Sequence, residues 1–441
     1  MKMFHKKGAI RTLAGIAVSA VIALTFAGCA SSPSSKSTSS DPVKSSSSLS
    51  GDLTVSYLSG NPFTDDTLKK FGAMNPGLKI RDVQSTSNTY QAQIRAQLDS
   101  GQGPDVIFIW TGSGNAMAAQ ILGGAGKLVN LSNQPWAKSM DPAAKTLVSL
   151  NGKVYGLTTV QNPYGFFYNK DKMKELGITP PTTFSGLINT CKAVRKKGLV
   201  LIALGAQTGY LAYGIPAQLA NSIAYTKDPN YLTKLGKGEE TWTDSKVWNQ
   251  SLSKALDEYQ TMIKAGCFQD NVTGYSEDAV KQMVASGKAV GTYLISAGLP
   301  ALRALAPDMK IDFATLPATE KASDLVLTAN PGSAWGVSAS SKNKAAAEAL
   351  VNYMGTPQRQ ALDAQANFGF PYTVNKDVKV PAELTGAGKL YKEGKVLLFP
   401  TALWPNPEVK QTIIAECQNL LNGNETVDGV LKAVQKSFGG K

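Results

Sequence analysis

The chain has 441 residues, 43% hydrophobic and 17% charged, with 41 glycines and 22 prolines, the composition of a folded globular protein with many turns. The formal charge is +13 at pH 7, yet no dense Lys/Arg run interleaved with aromatics occurs, which argues against a nucleic acid partner. His5 is the only histidine, and the four cysteines are widely spaced with no C-x-x-C, which excludes a disulfide-dense scaffold and the usual zinc frameworks.

The first stretch reads as a secretory leader. Lys2, Lys6, Lys7 and Arg11 form a basic patch, followed by an apolar run from Leu13 to Phe26. That run is shorter than the about 20 residues a membrane span needs. It ends in Leu24-Thr25-Phe26-Ala27-Gly28-Cys29, which resembles the lipobox of bacterial lipoproteins, although Phe26 stands where that motif usually has Leu. The resemblance implies cleavage before Cys29 and a lipid on its thiol. Residues 1–28 are then a signal peptide and 29–50 a Ser-rich tether, whose composition cannot pack a core. Removing the leader's four basic residues takes the formal charge from +13 to +9. Removing His5 leaves no His-based triad, Cys-His dyad or imidazole metal ligand, so no cofactor or metal is expected. Among Cys191, Cys267 and Cys417 one disulfide is possible in an oxidising compartment, with no pair indicated.

Structure is expected from Leu53. A strand over Leu53–Tyr57 and a helix over Thr64–Met74, with Asp65 and Asp66 in its first turn, end at Asn75-Pro76-Gly77. A strand over Leu78–Val83 and a helix over Tyr90–Leu98, capped by Asn88, precede Val106-Ile107-Phe108-Ile109, a strand apolar on both faces. This alternation predicts a parallel α/β layer. Asn151-Gly152 predicts a hairpin turn, and Tyr164–Tyr168 and Val200–Leu204 predict strands flanking helices at Asp171–Leu176 and Phe184–Lys197. Helical periodicity covers Val247–Ala265 and Glu277–Ser286, with strands over Ala289–Ile295 and Ile311–Leu316. A strand over Trp335–Ser338 leads into an Ala-rich helix, Lys342–Met354, and the chain after Val374 reads mostly helical. Phosphate-loop patterns fail: Leu128 follows Gly126-Lys127, Ile121 stands where the first glycine belongs, and Gly112-x-Gly114 lacks its third glycine.

Several runs, in order, carry a family resemblance. They are Gly103-Pro104-Asp105-Val106-Ile107, Asn151-Gly152-Lys153-Val154-Tyr155-Gly156, Phe167-Tyr168-Asn169-Lys170, Leu316-Pro317 and Gly332-Ser333-Ala334-Trp335-Gly336-Val337-Ser338. The chain from Leu53 onward resembles the bacterial extracellular solute-binding proteins of the sugar-binding class. That implies an α/β, two-lobed periplasmic-binding-protein-like fold of type II, with discontinuous lobes joined by hinge segments. One lobe is expected over 51–162 and 318–372, the other over 163–317 and 373–441. The crossings are expected at Val160–Asn162, around Leu316-Pro317 and near Pro371-Tyr372. The implied protein is a monomer on the outer face of the bacterial cell membrane, held by its lipid. It would capture a carbohydrate, an oligosaccharide above all, and deliver it to the permease subunits of an ABC importer without catalysis.

A sugar offers flat C–H faces and a rim of hydroxyls, so its site wants aromatic platforms beside amides and hydroxyls. Trp110 ends the apolar strand at its carboxyl end, where open α/β sheets bind ligands, and Gly112 and Gly114 leave the backbone unobstructed beside the ring. Trp335 and Trp404 are platform candidates from the family pattern. Asn162 falls where the resemblance implies a hydrogen-bonding carboxylate. Tyr57 closes the first strand and Asn61 follows it, Tyr213 lies in a tyrosine-rich loop after Val200–Leu204, and Tyr293 with Ser296 ends another strand. Trp136, Trp242 and Trp248 read as structural. A non-sugar solute such as glycerol phosphate or a polyamine, or a secreted glycosidase with paired carboxylates, are the alternatives.

Overall fold

The computed structural model describes residues 48–140, 142–371 and 380–439. The leader, Cys29 and most of the tether lie outside the described residues. Two main sheets, each with its own core, organise the described residues.

The smaller sheet has four strands, in the order Ala334–Val337, Val106–Ile109, Ser50–Leu58 and Gly77–Ser85. Its last three are mutually parallel, with Leu53 opposite Ile80 and Val55 opposite Val106, as the βαβ alternation requires. Ala334–Val337 is antiparallel to Val106–Ile109. Helices Pro62–Met74 and Ser87–Asp99 make the crossovers. Thr86, not Asn88, takes the N-cap position of the second. Leu53, Val55, Ile94, Val106 and Leu350 are fully buried in this core. Each such side chain stabilises by roughly 1.5–3 kcal/mol. The Asn151-Gly152 hairpin forms as expected, with both residues at positive φ (50° and 73°) between Ser149–Leu150 and Lys153–Val154.

The larger sheet has seven strands. Its main path runs Val396–Leu398, Leu327–Asn330, Val160–Asn169, Ala289–Ile295, Val200–Ala203, with Ile311–Ala314 and Phe370–Pro371 also pairing with Val160–Asn169. Helices Gly209–Lys227, Lys246–Lys264 and Pro407–Leu421 pack around it. A disulfide joins Cys191 to Cys267, 76 residues apart in sequence, and Cys417 is a buried free thiol.

Two expectations change here. Tyr213 sits in the helix Gly209–Lys227, not in a loop. Every residue from 211 to 224 is buried, so no polar stripe marks the 3.6-residue period, and Pro216 inside the run reads as a breaker. The second passage between sheets also moves. Leu316 is buried in the larger core, and Leu327–Asn330 still pairs within the larger sheet, so the chain crosses over residues 331–333. The first crossing precedes Asn162, and the return runs over residues 367–371, where Phe370 and Pro371 pair with Gln161 and Val160. Arg359 ties the helix Pro357–Ala366 back to Pro62–Met74, bonding Asp66 at 3.1 Å and Thr67 and lying 4.7 Å over the Phe63 ring.

Candidate ligand-binding site

A cavity of about 560 Å³ opens between the two sheets. On the smaller-sheet side it lies at the carboxyl ends of all three parallel strands, through Leu58 to Asn61, Ser85 and Thr86, and Trp110 and Thr111. Loops at these ends diverge and leave a crevice, as in other open parallel sheets. The facing side is built by the first residues of Val160–Asn169, the end of Ala289–Ile295 and the start of the helix Gly209–Lys227.

Each side supplies an aromatic wall. Trp110 packs edge-on to Phe108 at 5.3 Å, and Phe108 packs edge-on to Trp335 at 5.9 Å. Opposite, Tyr164 packs edge-on to Tyr210 at 6.3 Å and stacks on Phe399 at 4.3 Å, while Tyr213 lies 5.9 Å from Phe399. Edge-on neighbours hold each ring at a fixed angle, which suits a platform that must meet a flat ligand face.

Polar groups rim the walls. Asn61 caps the helix Pro62–Met74 through its side-chain oxygen, which accepts from Phe63 and Thr64 at 3.1 and 3.3 Å, so its amide nitrogen is what it can offer a ligand. Asn162 donates through its amide nitrogen to the Ser296 hydroxyl and the Asn367 carbonyl, both at 2.9 Å. That leaves its oxygen as what it can offer a ligand, an acceptor where the family resemblance implies a carboxylate. Tyr210 donates to Glu277 at 2.8 Å, and Glu277 pairs with Lys281 at 2.8 Å. Burial pushes the Tyr210 and Tyr213 hydroxyls far above their ordinary range, so both remain neutral donors. Asp363, also lining the cavity, accepts from Thr159 and Asn367, and burial raises its carboxyl to about 6 against the pull of those two bonds. Thr159, Asn162, Asp363 and Asn367 thus knot the first and last crossings together.

Of the nine expected ligand contacts, Asn61, Trp110, Asn162, Tyr213 and Trp335 line the cavity. The structure does not put the other four there. Tyr57 is 1% exposed, and its hydroxyl joins Asp65 at 2.5 Å, Asp82 at 3.2 Å and Gln84 at 2.8 Å, a cluster outside the cavity. Tyr293 is fully buried and donates to the Gly214 carbonyl at 2.9 Å. Ser296 is fully buried and serves as the acceptor that orients Asn162. Trp404 is buried against Tyr213 at 5.7 Å. Trp136, Trp242 and Trp248 are buried in the two cores.

Gly112 and Gly114 do more than clear space beside Trp110. Ser113 between them donates from Oγ to the Trp404 carbonyl at 2.6 Å and from its amide to the Ala402 carbonyl at 3.4 Å. A Cβ on Gly112, whose φ is +75°, would lie 1.8 Å from the Ala402 carbonyl oxygen, and one on Gly114 would lie 2.1 Å from that of Thr401. The glycines let the loop of one lobe touch the turn Pro400–Leu403 and Trp404 of the other. The helix that follows this loop starts at Ala119.

Tyr164, Tyr210, Phe108, Asn330, Asp363 and Lys410 were not anticipated as lining residues. For Tyr164 a signal existed: Val160, Asn162 and Tyr164 are two apart on one strand and all line the cavity. Among the described residues no group of three or more His, Cys, Asp or Glu could hold a metal, and no helix is long and apolar enough to cross a membrane.

Two α/β lobes closing on an aromatic, amide-rimmed cavity define a solute-binding protein. The family model for bacterial extracellular solute-binding proteins matches residues 57–361, and the chain belongs to that family. A multiple sugar-binding protein of Streptococcus mutans serotype c is 26% identical over 317 residues, 71% of this chain and 73% of the relative. A structure from work on xylan utilization by the thermophilic bacterium Caldanaerobius polysaccharolyticus superimposes with a TM-score of 0.72 at 21% identity, covering 87% of this chain and 99% of that one. The RafE binding protein in complex with raffinose gives 0.69 at 20% identity, covering 88% and 98%. The family, the Streptococcus mutans relative and RafE are binding proteins rather than enzymes.

Proposed function

We propose that the chain is the carbohydrate-capturing component of an ABC importer, exported and anchored through a lipid on Cys29. The observation that carries this reading is the pair of facing aromatic walls, Phe108, Trp110 and Trp335 against Tyr164, Tyr210 and Tyr213, around one cavity of about 560 Å³. That volume suits an oligosaccharide of a few rings, and stacked aromatics beside amides suit sugar faces and hydroxyls. The lobes would close over the sugar and present it to permease subunits, with no bond made or broken. The chain would work as a monomer. The printed names of the relatives, which include multiple sugars and raffinose, support the same solute class.

A thermal-shift screen against neutral and acidic oligosaccharides tests the solute class, because a ligand that binds only the folded state raises Tm. A hit should bind in calorimetry and be recovered chemically unchanged. Recovery of cleaved sugar would replace the transport reading with a hydrolase. Membrane fractionation tests the anchor: Cys29→Ser should release the protein, and retention equal to the parent would remove the lipid from this account.

A further inference from the structure

The helix Pro407–Leu421 starts at the cavity wall, its first amides capped by Asn406, whose side-chain oxygen accepts from Glu408 at 2.9 Å and Val409 at 3.3 Å. Lys410 is the fourth residue of that helix, half-buried, and lines the cavity. This is a poor place for a cation. The amino end of a helix carries a partial positive charge of roughly half a unit. The surrounding protein strips water from the ammonium, pulling its pKa down to about 8, and no carboxylate opposes that shift.

The other charged side chains of the cavity have partners. Lys281 pairs with Glu277 at 2.8 Å and Asp278 at 3.3 Å, and Asp363 accepts from Thr159 and Asn367. Among the described residues Lys410 alone of this set has neither an ion pair nor a hydrogen bond. A partly desolvated charge without a partner costs stability unless something neutralises it. Lys410 lines the space a ligand would fill.

We propose that the solute is an acidic oligosaccharide bearing a single anionic substituent, and that Lys410 receives that substituent. This rests on the carbohydrate reading of the cavity. The ammonium is a compact point charge, suited to a single anionic group such as one carboxylate or one sulfate ester. The formal charge of +9 that remains without the leader's four basic residues works the same way at longer range, since a positive surplus draws anionic solutes toward the surface.

Matched pairs of sugars test the inference by titration calorimetry: xylotriose against xylotriose carrying one glucuronic acid, raffinose against its monocarboxylate, and chitotriose against its mono-sulfate. The acidic member of at least one pair should bind about tenfold or more tightly than its neutral partner. In Lys410→Met the acidic member should lose more than the neutral one, so that their ratio falls to within about threefold. The carboxylate and sulfate pairs tell the two sources of charge apart. Unliganded melting of Lys410→Met should hold or rise, because an unpaired charge is gone; Lys410→Gln repeats the titration if it falls. Equal or tighter binding of the neutral members, or a preference that survives both substitutions, overturns the role of Lys410 and leaves the carbohydrate reading intact. No binding by any member of any pair overturns both.

Discussion

Substituting Gly112 by Ala tests whether the contact between the loop at 111–114 and the turn at 400–404 belongs to the ligand-holding state. The added Cβ would stand 1.8 Å from the Ala402 carbonyl oxygen, and real contacts essentially never fall below 3.0 Å, so backbone must move by at least the difference, 1.2 Å. A shift of that size breaks the two bonds of Ser113, at 2.6 and 3.4 Å, each contributing about 1 kcal/mol. Losing about 2 kcal/mol of closure weakens ligand binding roughly 30-fold. A separate cost of about 1–2 kcal/mol comes from an L residue at φ +75° and falls on the loop whether or not the lobes meet. Gly126→Ala isolates that second cost, because Gly126 has φ +68° and nothing within 4 Å of its would-be Cβ. Calorimetry with the strongest hit of the sugar screen, beside unliganded melting of both variants, separates the two contributions. Both should lose some Tm, and only Gly112→Ala should lose affinity. An unchanged affinity in Gly112→Ala, or an equal loss in Gly126→Ala, would refute the argument.

Trp110→Ala should weaken sugar binding by about 2–4 kcal/mol, as truncated anchors do. It should also lower unliganded stability by about 1–3 kcal/mol through its edge-on contacts with Phe108 and Tyr90 at 5.3 and 6.1 Å; near-parental affinity in the folded fraction would make it a core residue only. Replacing Cys191 and Cys267 together by Ser should cost about 2–5 kcal/mol in urea unfolding, and reductant should lower the parent's midpoint to match the variant. Unliganded stability should rise as pH falls from about 7.5 to 5. Burial raises Asp363 to about 6 and Glu258 to about 7, so the folded state holds those protons more tightly than the unfolded chain, each to the extent of up to about 3 kcal/mol. Asp363→Asn with Glu258→Gln should flatten that rise, and an unaltered pH profile in the double variant would assign it to other groups.

What could be read from the sequence follows from which signals are local. The strand Val106–Ile109 was legible because a short apolar run between turn residues has few other uses in an α/β pattern, and its carboxyl end located Trp110. The hairpin at Asn151-Gly152 was legible because only a few residue pairs tolerate two positive φ values. The helix Gly209–Lys227 was not, since burial on nearly every face erases the periodicity that marks a helix. Tyr293 was misplaced for a related reason: its strand is covered on both faces, and a covered strand does not reveal which side chains turn toward a cleft. Lys410 was invisible as a site residue because isolation from carboxylates is set by packing among distant segments. The passage at 331–333 was missed because Leu327–Asn330 had not been recognised as a strand, so nothing placed that segment in the larger sheet.

The fourth strand of the smaller sheet has a consequence for biogenesis. Ala334 pairs with Ile109 and Val337 with Val106, partners 225 and 231 residues apart. At a synthesis rate of roughly 5–20 residues per second, the edge of Val106–Ile109 waits about 10–45 seconds for its partner to be made. During that interval the amino-terminal lobe has strands and crossover helices but no closed sheet and only part of its core, because Leu350 and its helix have also yet to be synthesised. Contacts so distant in sequence also form slowly once available, since a long loop must be closed first. The nascent chain is therefore kept from locking into its native lobe before most of it exists. For a member of an extracellular family this delay is useful, because a chain threaded through a secretion channel has to stay unfolded until it reaches the far side.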